Sequence, residues 1–114
     1  MITIYHNPRC GKSRAALQAL KDRGLDYNVR LYLENPPTQG ELTDILKKSR
    51  LRPLDIIRTK EQVFQSEFKN KTLSDEAWIE AIIKYPILLE RPIFIDDHKA
   101  AVVRSDEAIQ AFLQ

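Results

Sequence analysis

The sequence predicts an α/β fold in three blocks: a βαβ opening, a helical middle and a ββα ending. Three patterns carry this. Two β-prone runs bracket a stretch of helical apolar spacing near the start. The middle repeats helical spacing behind recognisable caps. A strand, tight turn and strand precede the last helix.

The elements follow in order. Ile2, Ile4 and Tyr5 make the first β-prone run. Asn7-Pro8-Arg9-Cys10-Gly11 reads as a turn. From Ser13, Ala16, Leu17 and Leu20 keep helical spacing, and Gly24, behind Lys21 and Arg23, stops the helix. Tyr27, Val29, Leu31 and Leu33 alternate at period two, a second strand. Strand, helix and strand in succession form a βαβ unit, most often parallel and right-handed. Thr38, with Glu41 three residues on, is a capping box for a helix through Leu42, Ile45 and Leu46. Pro53 starts a short helical segment through Leu54, Ile56 and Ile57. The charged stretch 59–71 reads as an exposed face of helical tendency, with Val63, Phe64 and Phe68 on its apolar side. Ser74, followed by Asp75 and Glu76, opens a helix carrying Trp78, Ile79, Ile82 and Ile83, which Pro86 ends. Residues 93–95 and 100–103 flank a turn at 96–99, a β-hairpin. Ser105 caps a final helix holding Ala108, Ile109, Phe112 and Leu113. No repeat, linker or low-complexity tract interrupts this order.

Composition narrows the class. A chain of 114 residues fits one domain with one real core. With 43% hydrophobic and 30% charged residues it has ordinary globular composition. A net charge of +2 gives no electrostatic case for nucleic acid. No apolar run approaches the ~20 residues of a membrane span. The chain enters its first strand directly, with no basic and apolar leader, so no signal peptide is expected. One cysteine cannot close an internal disulfide, which favours a reducing compartment, the cytoplasm.

The stretch "HNPRCGKSR", residues 6–14, holds the chemistry. Its Gly11-Lys12-Ser13 imitates the end of a nucleotide-binding loop. That loop needs a glycine at position 6, where His6 stands. A Cys-x-x-Cys redox pair needs a second cysteine where Ser13 stands. A cysteine phosphatase needs an arginine where Ala16 stands. What survives is one cysteine at a strand-to-helix turn. Helix N-termini stabilise thiolates, and Arg9, Lys12 and Arg14 add positive charge. Ser13 could donate a hydrogen bond to the sulfur, and His6 could help to tune it. The competing reading, a small buried apolar cysteine, suits a polar and basic turn poorly. Two separated histidines and one cysteine give no metal-ligand spacing. His98, in the hairpin turn, reads as solvated.

Arg58, Arg91 and Arg104 each end an apolar run or stand at an element's edge. Guanidinium groups hold tetrahedral oxyanions through paired donors. Spacing alone nevertheless favours three solvated arginines with stems on the core edge. The Arg91-Pro92 bond, just ahead of the hairpin, is a candidate cis peptide.

At "ITIYHNPRCGKSR", "YLENPPTQGEL", "IIRTKE", "YPILLERPI" and "VVRSDE", in that order, the chain resembles the ArsC family of glutaredoxin-coupled arsenate reductases. The resemblance implies a thioredoxin-like fold, a mixed four-stranded sheet with flanking helices. It implies a single domain over 1–114 with a helical insertion over roughly 38–85. It implies Cys10 as nucleophile, Arg58, Arg91 and Arg104 as oxyanion ligands, and His6 and Ser13 as tuners of the thiolate. Pro92 matches the cis-proline of such folds. Arsenate or a similar oxyanion is the implied substrate. Glutathione is the implied co-substrate and a glutaredoxin the implied partner, with no bound cofactor or metal and no membrane or nucleic-acid partner. Two readings from other classes stand beside this one: a glutathione-dependent reductase of mixed disulfides, and a regulator that docks on a protein such as RNA polymerase.

Overall fold

The computed structural model describes residues 1–114. The chain runs β1 (Ile2–Tyr5), α1 (Gly11–Asp22), β2 (Tyr27–Arg30), α2 (Gln39–Ser49), α3 (Gln62–Glu67), α4 (Asp75–Lys84), β3 (Ile93–Ile95), β4 (Ala100–Val102) and α5 (Asp106–Leu113). Single 3-10 turns at Pro53–Ile56 and Pro86–Leu88 lead into the segments around them. The sheet order is β2-β1-β3-β4. β1 and β2 are parallel, and β3 is antiparallel to both β1 and β4. This mixed sheet with flanking helices is the thioredoxin-like arrangement.

Helices cover both faces because successive strand residues point to opposite sides. Ile4 and Phe94 face α1 and α5, in a cluster with Ala16, Leu20, Val103, Ile109 and Phe112. Tyr5, Ile93 and Ala100 face the other way, into a cluster of 15 buried residues built largely by α2 and α4. There Trp78 stacks on Phe64 with ring centroids 5.9 Å apart, and Phe68 tilts against both. No helix is long and apolar enough to cross a membrane.

Caps form where the side chains are right. Thr38 and Glu41 close the capping box of α2, Ser74 accepts from Ala77 N–H and Ser105 from Ala108 N–H. Glu41 also grips Arg30 with two bonds of 2.7 and 3.0 Å, which ties the end of β2 to the start of α2. In the hairpin, Asp96 Oδ1 accepts from the N–H groups of His98 and Lys99.

The second strand is shorter than its alternation suggests. It ends at Arg30, and the Leu31 carbonyl accepts from Glu34 and Asn35 N–H as the chain turns. The alternating set is not the buried one: Val29 and Leu33 are exposed, and Tyr32 is 1% exposed. β2 is an edge strand, so tertiary position overrides its pattern. The first helix starts at Gly11, two residues before Ser13, and α3 occupies only six residues of the charged stretch.

Candidate active site

Strand register brings the candidate residues to one end of the sheet. Tyr5, the last residue of β1, pairs with Arg30 on one side and Ile93 on the other. Ile93 in turn pairs with Val102. The turn after β1, the chain after β2, the segment before β3 and the segment after β4 therefore meet at this edge. They contribute Cys10, Tyr32, Arg91 and Arg104. The Arg91–Pro92 peptide is cis. Arg58 arrives from outside the sheet. A single antiparallel bridge pairs Ile57 with Leu89, flanked by Arg58 N–H to the Leu88 carbonyl at 2.7 Å and Glu90 N–H to the Ile56 carbonyl at 2.8 Å.

The Cys10 turn is held from several directions. His6 N–H donates to the Arg30 carbonyl at 2.9 Å, and Cys10 N–H to the Asn7 carbonyl at 3.0 Å. Arg9 N–H donates to Asn7 Oδ1, and the Arg14 guanidinium to the Pro8 carbonyl, each at 3.0 Å. Cys10 is the N-cap of α1, with extended backbone and no capping bond from its side chain. The thiol is partly exposed. Cys10 stands directly before the first-turn N–H groups of α1, which have no intrahelical acceptor.

His6 and Ser13 are both buried. Ser13 Oγ accepts from Asn7 N–H at 3.0 Å and lies 2.6 Å from His6 Nδ1. Burial holds the His6 pKa below the usual histidine range, helped by the positive charges of Lys21 and Arg14. A hydroxyl has one proton and two lone pairs, enough to meet both neighbours in either His6 tautomer. The pair shapes the turn that carries the sulfur.

The three arginines are held differently. Arg58 pairs with Glu61 at 2.8 Å. Arg104 donates to the Arg91 carbonyl at 2.6 Å, and its Nε lies 4.0 Å from a Glu90 carboxylate oxygen. Arg91 Nε and one terminal nitrogen are buried with no hydrogen-bond partner. Arg58 and Arg104 line one cavity of about 280 Å³ together with Thr59, Lys60 and Glu90. Arg104 also borders a cavity of about 200 Å³ with Lys12 on the first turn of α1. Neither cavity is lined by Cys10 itself. A roomier polar cavity of about 390 Å³ lies over β1, β2 and α2. Cys10 does not line it, and its Arg30 is already bound to Glu41. No three His, Cys, Asp or Glu side chains are grouped to hold a metal.

Tyr32 joins the two halves. Burial pushes its pKa up to about 12; Arg58 and the Asn7 amide oppose the rise, while Cys10 and Glu90 add to it. Its ring packs in the larger core cluster with Ile57 and Leu89, so the phenol stands between the Cys10 turn and the Arg58 bridge. Sequence reasoning passed over Tyr32, Lys60 and Glu90. Proline at 36 and 37 is the signal that the strand stops early and lets Tyr32 turn inward. A carboxylate directly before Arg91 is the signal for Glu90.

The ArsC family model matches residues 5–112. The chain belongs to the ArsC family. Among its relatives, an arsenate reductase of Neisseria meningitidis is 44% identical over 114 residues, covering 98% of this chain and 97% of the relative. An Escherichia coli arsenate reductase is 32% identical, covering 99% of this chain and 81% of the relative. The solved structure of an arsenate reductase from Vibrio cholerae superposes with a TM-score of 0.89 at 33% identity, over 96% of this ArsC chain and 95% of the other.

Proposed function

We propose that this ArsC chain reduces arsenate, with Cys10 as nucleophile and glutathione and a glutaredoxin as the electron source. The observation that carries the reading is Arg91. Two of its buried donors lack any acceptor in the chain, at the same sheet edge as Cys10. Buried donors are rarely left unpaired, and a planar guanidinium suits a tetrahedral oxyanion. Arg58 and Arg104, facing a shared cavity, supply further charge. The arsenate reductases among the relatives support the choice of oxyanion.

In the proposed cycle the Cys10 thiolate attacks the arsenic, and a protonated oxygen leaves as water. The arginines offset charge on the remaining oxygens. A glutathione thiol then attacks the adduct. Two electrons pass to arsenic, arsenite departs, and Cys10 is left as a mixed disulfide with glutathione. A glutaredoxin thiol reduces that disulfide. The chain has no second cysteine, so the resolving thiols come from outside. The bonds around His6, Asn7 and Ser13 keep the sulfur-bearing turn in place through the cycle.

The test is arsenate-dependent NADPH oxidation in the presence of glutathione, glutaredoxin and glutathione reductase. Turnover is expected for the native chain and loss of it for Cys10→Ser. A folded protein with a titratable Cys10 and no arsenate-dependent turnover would sink the reading.

A further inference from the structure

We propose that Glu90 makes the anion site selective for oxyanions that still carry a proton, such as hydrogen arsenate and hydrogen phosphate, against sulfate and selenate. The inference rests on the oxyanion reading above and adds what the site distinguishes. Arg58, Lys60 and Arg104 surround the cavity of about 280 Å³ with positive charge, which draws any tetrahedral oxyanion. Charge alone therefore gives no selectivity among them.

Glu90 is the one carboxylate lining that cavity. Its backbone is clamped by the 2.8 Å bond to the Ile56 carbonyl, so the side chain starts from a defined place. The side chain is 23% exposed. Its approach to Arg104 Nε, at 4.0 Å, is too long for a hydrogen bond. Arg58 already has its own carboxylate in Glu61 at 2.8 Å, so Glu90 is not needed to neutralise it. What remains is a half-buried acceptor turned toward an anion site. A carboxylate accepts hydrogen bonds and offers none. A bound oxyanion with an O–H group donates to it in a short charge-assisted bond. A fully deprotonated oxyanion sets oxygen lone pairs against it and is repelled, so one group both attracts the right ligand and rejects the wrong one.

The test is calorimetric titration of the full chain with arsenate, phosphate, sulfate and selenate, for the native protein and for Glu90→Gln. The native chain is expected to bind arsenate and phosphate at least about 10-fold more tightly than sulfate and selenate, the scale of one charge-assisted hydrogen bond. Glu90→Gln, which can donate, is expected to narrow that ratio about 10-fold, mainly by tightening sulfate and selenate. Circular dichroism checks its folding, and Glu90→Ala serves as a second variant that should also lose the discrimination. An unchanged ratio in both variants overturns the inference. Equal native affinity for sulfate and arsenate overturns it too, while leaving the oxyanion reading intact. If none of the four anions binds the folded native chain, the oxyanion reading itself falls and takes the role of Glu90 with it.

Discussion

Replacing Arg91 by methionine should make the anion-free protein more stable, not less. Two buried donors of Arg91 have no partner. Each unpaired buried donor costs about 1–3 kcal/mol, so the pair costs about 2–6 kcal/mol. Methionine keeps an unbranched apolar stem and removes both donors, at a repacking cost of about 1–3 kcal/mol. At the middle of both ranges the net expectation is a gain of about 2 kcal/mol. For a domain of this size that corresponds to a rise in Tm of about 4–12 °C. The assay is thermal unfolding in buffer free of arsenate, phosphate and sulfate, repeated with increasing arsenate. The native chain should climb with ligand, by about 2.7 kcal/mol at a hundredfold excess over Kd. Arg91→Met should stay flat, so the two curves approach or cross. A variant clearly less stable than the native chain without anion, or one that keeps the full arsenate shift, would refute the assignment of Arg91 as an unmatched anion ligand.

Three further outcomes are expected. His6 has its pKa lowered in the folded chain, so the unfolded chain binds its proton first as pH falls below about 6.5. Stability measured by urea midpoints should therefore drop on acidification through that window, and His6→Gln should flatten the slope; an unaltered slope would exclude His6 as its source. On the alkaline side Tyr5 and Tyr32 are raised to about 12, in each case first by burial. Between about 10 and 12 the folded chain keeps protons that the unfolded chain has lost, so stability should fall as pH rises there. Phenolate absorbance of Tyr32→Phe should lack one late-ionising group. Glu41→Gln loses the charge of the Arg30 pair while its amide oxygen still closes the α2 capping box, and should cost about 0.2–1 kcal/mol in chemical denaturation. Thr38→Ala, which removes the cap acceptor, should cost about 0.5–2 kcal/mol and so exceed it.

Local chemistry was readable wherever local chemistry decides. The caps at Thr38, Ser74 and Ser105, the stop at Gly24 and the hairpin at 93–102 depend on residues a few positions apart. The end of the second strand was not readable in the same way. Period two continues through Leu31 and Leu33, but an edge strand has one open side and no partner to hold it straight. So Tyr32, outside the pattern, became the buried residue. In the site, the placement of Cys10 followed from its turn. The company kept by the arginines did not, because it depends on an Ile57–Leu89 bridge joining segments 32 residues apart. Ser13 also keeps company that its residue type did not announce: its hydroxyl meets His6 and Asn7.

The Ile57–Leu89 bridge also makes the site open to observation. Arg58 is held to the segment that leads into β3 by two backbone bonds, those of the Arg58 and Glu90 amides. Deuterium uptake at those two amides is therefore a direct gauge of how often the two segments carrying Arg58 and Glu90 part. A ligand that spans Arg58 and Arg104 would slow both exchanges together, without any label placed on the site itself.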